Sequence, residues 1–186
     1  MAAGLLGAPA KARRVLDAGC GTGLCGPLLA PWARTLEGVD LSERMLARAC
    51  VRGVYDALAK AELTAHIEAM PAAQCDVVVS ADTLCYFGDL AAVARACRAG
   101  RGPGGWLIFT VEGQPEHAAE PFRLNPHGRY SHRSDYLREV LARAGLQPLD
   151  VQAAHLRTEG GKPVHGYLVA ARRPAADGET RAGHSP

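Results

Sequence analysis

Lysine, aromatic residues and long apolar runs are scarce in this chain. Lysine occurs at positions 11, 60 and 162 alone, and aromatic residues make up 5% of the sequence. The formal net charge of +2 gives no basis for a nucleic-acid-binding surface. No apolar run reaches the ~20 residues that a membrane span requires, and residues 1–12 lack the apolar centre of a signal peptide. We therefore expect neither a nucleic-acid partner nor a membrane partner.

The six cysteines include no Cys-x-x-Cys pair. They occur singly, at positions 20, 25, 50, 75, 85 and 97. A structural zinc site is therefore not expected, and no metal site is predicted. We expect the thiols to be reduced and to pack as small apolar side chains, which favours a cytoplasmic location.

Length and composition are those of one globular domain. With 186 residues, of which 48% are hydrophobic and 22% charged, the chain can bury a sizeable core. We expect a short N-terminal lead over residues 1–13, one domain over 14–173 and a polar, disordered tail over 174–186.

An apolar segment ending in an acid leads into a glycine-rich loop. The segment Val15-Leu-Asp17 precedes Gly19-Cys-Gly-Thr-Gly23, and a second apolar segment ends at Asp40. Glycines permit the positive φ angles and the close backbone approach of a strand-to-helix turn. An acid ~20 residues past such a loop accepts hydrogen bonds from a ribose diol. The pattern predicts the first βαβ unit of a nucleotide-binding α/β sheet, with Asp40 at the ribose.

Two classes of ligand can use this unit. Gly21-Thr-Gly-Leu-Cys-Gly26 also satisfies the G-x-G-x-x-G pattern of dinucleotide-binding proteins, so a nicotinamide cofactor is a rival. Asp17 favours a ligand with a positively charged amino group, because a pyrophosphate prefers backbone N–H groups without a nearby acid. The methionine part of S-adenosylmethionine carries such an amino group.

The segment Asp17-Ala-Gly-Cys-Gly-Thr-Gly23 resembles motif I of class I S-adenosylmethionine-dependent methyltransferases. The similarity covers most of the chain, because residues 38–46, 76–82 and 102–109 resemble later motifs of that superfamily. More narrowly, residues 81–90 and 128–132 resemble methyltransferases that follow tetratricopeptide repeats in bacterial chains. The resemblance implies methyl transfer from S-adenosylmethionine, which becomes S-adenosylhomocysteine, to a small-molecule or protein acceptor.

The order of apolar segments, helical segments and turns predicts a Rossmann-like, doubly wound α/β fold. Strands are expected near 14–17, 36–40, 59–63, 77–80 and 106–111. Helices are expected near 24–34, 42–52, 64–69, 89–99 and 134–144, where Ser42 is a natural N-cap and the last helix begins at Ser134 or Ser131. The connection over 112–129 lacks clear periodicity. Strands near 149–157 and 164–172 flank a glycine turn and predict a hairpin. We expect a mostly parallel seven-stranded sheet with a C-terminal antiparallel hairpin.

Four acids are expected at the carboxyl ends of strands, where ligands bind in open α/β sheets. They are Asp17, Asp40, Glu62 and Asp82. Because like charges repel, packing alone does not explain four acids along one edge, whereas a cationic ligand with hydroxyl and amino groups does. The resemblance implies that Glu62, where aspartate is commoner in the family, receives the adenine amino group. Leu63 would pack on the ring, and Leu41 and Met45 either contact adenine or belong to the core, as apolar residues at helical spacing often do. The predicted cofactor-binding residues are Asp17, Gly19, Cys20, Gly21, Gly23, Asp40, Leu41, Met45, Glu62, Leu63 and Asp82.

The acceptor side is predicted from residues near the same sheet edge. Methyl transfer needs an acceptor atom about 3 Å from the activated methyl group, and an amine or hydroxyl acceptor can require a base. Candidate bases are Tyr86, His127, Tyr130 and His132, of which Tyr86 and His132 are the predicted catalytic residues. Tyr86, Arg129, Tyr130 and His132 are predicted to bind substrate, and Arg129 suits an acidic group. Capping by His132 and packing by Tyr130 stay open.

Two other functions stay open at this point. A nicotinamide-dependent oxidoreductase is disfavoured by Asp17, by the C-terminal hairpin and by the absence of a Tyr-x-x-x-Lys pair. A non-catalytic cofactor-binding domain of a larger protein is also considered. Strand one is expected to begin near residue 14, whereas related domains carry preceding helices that cover the cofactor. An upstream repeat domain or a partner would then supply that lid.

Overall fold

Among residues 2–175, which the computed structural model describes, nine strands form one sheet with helices on both faces. The strands are β1 Arg13–Ala18, β2 Ala33–Asp40, β3 Ala57–Lys60, β4 Cys75–Ser80, β5 Arg101–Gly113, β6 Phe122–Leu124, β7 Tyr130–His132, β8 Gln147–Glu159 and β9 Lys162–Arg172. The helices are α1 Ala2–Leu6, α2 Gly26–Leu29, α3 Glu43–Val51, α4 Leu63–Ala69, α5 Ala91–Ala99 and α6 Ser134–Arg143, with a 3₁₀ turn at Leu84–Tyr86.

The first five strands are parallel and lie in the order β3-β2-β1-β4-β5. The chain moves outward from β1 to β3 and then crosses back, so that β4 pairs with the other side of β1. The strand order therefore reverses between β1 and β4. Ligands of doubly wound sheets bind outside the carboxyl ends of the strands at such a reversal.

The last two strands form the predicted antiparallel hairpin. β9 pairs antiparallel with β5 from Trp106 opposite Arg172 to Glu112 opposite Gly166. β8 pairs antiparallel with the outer side of β9. The predicted fold, a mostly parallel Rossmann-like sheet with a C-terminal antiparallel hairpin, is confirmed.

The predicted number of seven strands is wrong, because the connection after β5 contributes two more. Phe122–Leu124 and Tyr130–His132 pair with each other as a short hairpin. Ser131 and His132 also pair, in parallel, with Glu112 and Gly113 of β5. Strands of three residues are too short to show a periodicity in sequence. They hold this connection against the carboxyl end of the sheet.

Neighbouring residues of the strands alternate between two apolar layers. On one face, Leu16 and Leu107 pack with helices α4, α5 and α6 through Ile67, Val93 and Leu137. On the other face, buried residues of β1, β2, β4 and β5 pack with α1 and α2. That second layer contains Leu6, Val15, Leu29, Leu36, Val77 and Trp106. Both faces of the parallel strands are thereby covered, as in other doubly wound sheets.

Several element boundaries differ from the sequence prediction, among them that of β5, which was expected near 106–111 and extends over Arg101–Gly113. The helix expected over 24–34 is the short α2, Gly26–Leu29, because Pro31 lacks the N–H that would continue it. The strand expected over 59–63 is β3, Ala57–Lys60, and Glu62 instead caps α4 with its side chain. Ser42 caps α3 as expected, accepting a hydrogen bond from the Met45 N–H at 3.4 Å.

The N-terminal segment packs on the sheet. The lead contains α1, whose Leu6 is buried. Of the predicted tail over 174–186, residues 176–186 lie outside the described part of the chain. Within the described part of the chain, no helix combines the length and apolarity needed to cross a membrane.

Candidate active site

A cavity of about 250 Å³ opens at the reversal of strand order. Gly19, after β1, and Thr83, after β4, both line it. The full lining is Gly19, Val39, Asp40, Leu41, Ala61, Glu62, Leu63, Thr83, Tyr86 and Phe87. A larger cavity of about 450 Å³ lies at the amino ends of the strands, beside Arg13 and Pro103, and contains none of the glycine-loop residues.

The glycine loop is shaped by two side chains that come from other parts of the chain. A Cβ at Gly19, whose φ is +78°, would overlap the side chain of Thr83. The Thr83 hydroxyl donates a hydrogen bond to the Gly19 carbonyl at 3.1 Å. Tyr55 lies beneath the loop, and a Cβ at Gly23 or Gly26 would approach its ring to 2.9 or 2.8 Å. These two contacts require the absence of side chains in the loop.

Asp17 lies beneath the glycine loop and does not line the cavity. Its side chain is 1% exposed and accepts a hydrogen bond from the Tyr55 hydroxyl at 2.6 Å. Burial raises the pKa of Asp17 to about 6, against the lowering effect of the Tyr55 hydrogen bond; the charge of Asp40 also raises it. The contact of Asp17 with a charged amino group of the ligand stays a prediction. In this structure Asp17 anchors Tyr55.

Asp40 ends β2 at the wall of the cavity, where the sequence predicts a ribose-binding acid. Its Oδ2 accepts a hydrogen bond from the Gly21 N–H at 2.9 Å, and its Oδ1 accepts one from the Ser42 N–H at 2.8 Å. These bonds fix the orientation of the carboxylate. An ionised carboxylate has about four acceptor positions, so both oxygens keep capacity for hydroxyl donors.

Glu62 and Leu63 both line the cavity, but the Glu62 carboxylate is engaged in capping α4. It accepts hydrogen bonds from the N–H groups of Thr64 at 2.9 Å and Ala65 at 2.7 Å. Burial opposes ionisation of Glu62, yet these backbone hydrogen bonds outweigh it and lower its pKa. Leu63 is buried at the start of α4. Glu62 thus points its oxygens at the helix, which differs from the expected free acceptor for an adenine amino group.

The remaining predicted cofactor residues follow β2 or belong to the glycine loop. Leu41 lines the cavity and is 67% exposed, whereas Met45 lies on the exposed side of α3. Cys20 packs under the loop against Leu46 and Ala49, as expected for a small apolar side chain. Gly21 and Gly23 follow it in the loop, both with positive φ.

Asp82 follows β4 in a left-handed conformation, with φ +57°. Its Oδ1 accepts a hydrogen bond from Arg157 Nη1 at 2.7 Å, and the residue does not line the cavity. The predicted role of Asp82 in cofactor binding therefore has a competing partner. No local pattern indicates this pairing, because Arg157 lies 75 residues further along the chain.

Tyr86 and Arg129 form one wall of the cavity mouth. Tyr86 lines the cavity and is 58% exposed. Arg129 donates from Nε to the Tyr86 hydroxyl at 3.4 Å, and its guanidinium carbon lies 5.9 Å from the centroid of the ring. The structure thus brings together two residues that the sequence predicted for substrate binding.

Tyr130 and His132 are packed rather than presented to the cavity. His132 is fully buried; its Nε2 lies 2.9 Å from the Gly88 carbonyl oxygen, and its ring stacks on Tyr136. Burial lowers the pKa of His132. Tyr130 packs edge-on against Phe122. The prediction that His132 acts on an acceptor does not fit this structure, because packing of β7 onto the sheet places its ring inside the core.

A charged cluster beside Tyr86 was not predicted as a unit. The buried carboxylate of Glu112 accepts a hydrogen bond from Arg157, and it pairs with His127 at 3.3 Å. Glu159 accepts from Arg129 at 2.8 Å and from Arg157 at 3.1 Å. We call Asp82, Glu112, His127, Arg129, Arg157 and Glu159 the rim cluster. Its members come from four separate segments, so no local spacing could reveal it.

Metal-binding side chains show no suitable grouping in residues 2–175. No three His, Cys, Asp or Glu residues there are arranged to hold a metal ion. The six cysteines have free thiols.

Solved structures with the same fold include several methyltransferases. An S-adenosylmethionine-dependent methyltransferase from Mesorhizobium loti has a TM-score of 0.67 and 23% identity, covering 89% of this chain and 93% of that one. Geranyl diphosphate C-methyltransferase from Streptomyces coelicolor has a TM-score of 0.73 and 16% identity, covering 91% and 74%. The fold is that of the class I methyltransferases.

Sequence comparison defines the family. Residues 3–151 match the methyltransferase domain family, and the chain belongs to that family. It is 29% identical over 184 residues to a ubiquinone biosynthesis O-methyltransferase of Bordetella avium, covering 88% of this chain and 76% of the relative. It is 33% identical over 151 residues to that of Bordetella pertussis, covering 73% of this chain and 63% of the relative. The prediction of a methyltransferase is confirmed.

Proposed function

We propose that this chain transfers the methyl group of S-adenosylmethionine to a hydroxyl oxygen of its acceptor. The observation that carries the proposal is the cavity at the strand reversal, where the loop after β1 meets Asp40, the acid predicted to bind ribose. The predicted cofactor agrees with the donor named for the solved relatives. When bound, this donor supplies a methyl group already activated on a positively charged sulfur.

Residues of the cavity have distinct parts in the proposal. Asp40 accepts hydrogen bonds from the ribose hydroxyls, and Gly19 permits close approach of the donor to the loop. Leu41 and Leu63 supply apolar contact to the adenine. Asp17 acts from below, because it holds the Tyr55 ring against the loop. Tyr86 and Arg129 contact the acceptor at the cavity mouth.

The choice of oxygen as the accepting atom rests on the relatives. Those of Bordetella avium and Bordetella pertussis are both named as O-methyltransferases. The family assignment also argues against the alternative of a nicotinamide-dependent oxidoreductase. A non-catalytic cofactor-binding domain would bind the donor without methylating any acceptor.

The setting of the domain is part of the same proposal. We infer a methyltransferase domain over residues 14–173 and a cytoplasmic location, which the six free thiols support. The narrower resemblance to methyltransferases that follow tetratricopeptide repeats suggests an upstream segment or a partner that covers the cavity. The exposed side chains of Leu41 and Tyr86 offer apolar surface to such a cover. Adding an encoded upstream segment should then raise the affinity for the donor product.

Calorimetric titration with S-adenosylhomocysteine tests the donor site directly. We expect binding of this ligand and none of NADH. Asp40→Ala should weaken binding about tenfold or more, since hydrogen bonds to a charged group contribute about 1.5–3 kcal/mol. Glu139→Ala, which removes an exposed carboxylate on α6, is the matched control and should bind normally. Binding of NADH instead, or equal binding by the Asp40 variant, would contradict the proposal.

A further inference from the structure

We propose that His127, held by the buried carboxylate of Glu112, takes the proton from the acceptor hydroxyl during methyl transfer. This inference rests on the proposed function, because it assumes a hydroxyl acceptor. It places the base on the connection before β7 and not at the buried His132. Glu112 positions the base, and His127 touches the acceptor.

The geometry of His127 is that of an oriented base. Its side chain is 48% exposed, whereas the side chain of Glu112 is 6% exposed. The distance from His127 Nε2 to Glu112 Oε2 is 3.3 Å. In the proposed arrangement Nε2 carries the imidazole proton and faces the carboxylate, which leaves the lone pair on Nδ1. A base oriented by a third group through its other nitrogen is a recurring arrangement in enzymes.

Glu112 is itself fixed by its neighbours. Arg157 donates to its Oε1, and Arg129 Nη1 lies 3.9 Å from the same oxygen. Arg157 is held in turn by Asp82 at 2.7 Å and by Glu159 at 3.1 Å. The buried carboxylate therefore has little freedom to turn away from His127.

The charges of the rim cluster suit the uptake of one proton. Its three carboxylates, Asp82, Glu112 and Glu159, face two guanidinium groups. With His127 neutral, the ionised cluster carries one excess negative charge. A proton on the imidazole balances that charge next to a carboxylate shielded from water, where the attraction is strengthened by the low dielectric constant.

The rim cluster is continuous with the cavity. Arg129 pairs with Glu159 at 2.8 Å and donates to the Tyr86 hydroxyl at 3.4 Å. Tyr86 lines the cavity. An acceptor seated against Tyr86 at the cavity mouth therefore lies beside the cluster that carries His127.

The step balances without a further reactant. The acceptor O–H bond breaks, and its proton joins the lone pair of His127 Nδ1. An oxygen lone pair forms the new bond to the methyl carbon. The carbon–sulfur bond of the donor breaks, and its electron pair stays on sulfur, which becomes neutral. The imidazolium then returns its proton to water.

Two kinds of acceptor separate a base from a structural residue. Catechol and 3,4-dihydroxybenzoate need removal of a hydroxyl proton, whereas thiophenol is largely ionised at neutral pH. For His127→Ala we expect a fall in kcat of about 100-fold or more on the hydroxyl probes, in the range typical of general bases. The rate on thiophenol should stay within about threefold, since that probe needs no base. Added imidazole should restore part of the lost hydroxyl activity.

His117→Ala is the matched control, because His117 is an exposed histidine on the same connection. It should keep both activities, and both variants should bind S-adenosylhomocysteine as the wild-type chain does. Unchanged kcat on the hydroxyl probes, or an equal loss on thiophenol, would overturn the role of His127. A wild-type chain that binds S-adenosylhomocysteine but methylates no hydroxyl probe would also overturn it, with the donor site intact. Absence of S-adenosylhomocysteine binding would instead refute the proposed function itself.

Discussion

At the scale of residues, the glycines of the loop serve two different needs. Gly19 and Gly21 both have positive φ, at +78° and +54°. A Cβ at Gly19 would overlap Thr83, whereas a Cβ at Gly21 would have no neighbour within 4 Å. Backbone conformation alone thus explains Gly21, while Gly19 is also required by the approach of the loop after β4.

This difference predicts unequal effects of two alanine substitutions. Gly21→Ala should lower the free energy of unfolding by about 1–2 kcal/mol, the usual effect of left-handed backbone at a residue with a Cβ. Gly19→Ala should lower it by about 3 kcal/mol or more, because steric overlap adds to the backbone strain. Urea unfolding measures both. The double variant Gly19→Ala/Thr83→Ala should recover part of the loss, and equal losses in the two single variants would contradict this interpretation.

Burial of Asp17 predicts a dependence of stability on pH. The pKa of this carboxyl is raised by burial from 3.8 to about 6, so the folded chain binds the proton more tightly than the unfolded chain does. Asp17 therefore lowers stability above pH ~6, and the loss shrinks as the pH falls through 6 towards 4. Asp17→Asn should be more stable than wild type by about 1–3 kcal/mol at pH ~7.5, and this advantage should be about 2 kcal/mol smaller at pH ~4.5.

Urea unfolding without ligand at the two pH values checks the difference between variant and wild type. Glu139→Gln, at an exposed carboxyl of α6, should show no comparable pH-dependent difference. An Asp17→Asn variant that is less stable at neutral pH would show that the Tyr55 hydrogen bond outweighs the penalty of burying the charge.

At the scale of elements, Arg157 connects the C-terminal hairpin to the rest of the sheet. From β8 it reaches Asp82 after β4 and the buried Glu112 of β5. Arg157→Ala should lower the free energy of unfolding by about 2–4 kcal/mol, because it removes a guanidinium from a buried carboxylate. Arg143→Ala breaks an exposed pair on α6 and should change it by about 0.5 kcal/mol or less. Similar values for the two variants would show that Glu112 is adequately neutralised by its other neighbours.

Local patterns of sequence predicted the elements that their own residues determine. The apolar run of β4, the Ser42 cap of α3 and the turn of the C-terminal hairpin all depend on neighbouring residues. The predicted ends of elements were wrong where a single side chain ended or began an element. Pro31 shortened α2, and β3 ends at Lys60, three residues before the expected end, because the side chain of Glu62 caps α4.

At the scale of the whole molecule, the candidate site depends on contacts between distant segments. Asp40 could be predicted because its spacing from the glycine loop is fixed by one βαβ unit. The pairing of Glu112 with His127 and Arg157 could not, because no local rule links a strand end, a connection and a terminal hairpin. His132 lies near the carboxyl edge of the sheet, as predicted, because β7 pairs with the end of β5. Its ring, however, is buried in the core and does not face the cavity.

The position of Tyr55 beneath the glycine loop also constrains how this chain can evolve. Its ring would lie within about 3 Å of a Cβ at Gly23, Gly26 or Gly38, and its hydroxyl engages Asp17. The packing of Tyr55 therefore accounts in part for the small residues of the glycine pattern. At Gly26 the three nearest atoms to such a Cβ all belong to Tyr55, so homologues with a smaller residue at position 55 should tolerate alanine or serine there. Across an alignment, position 26 should covary with position 55, whereas positions 23 and 38 should stay glycine because of the positive φ at Gly23 and the contact of Gly38 with Leu58.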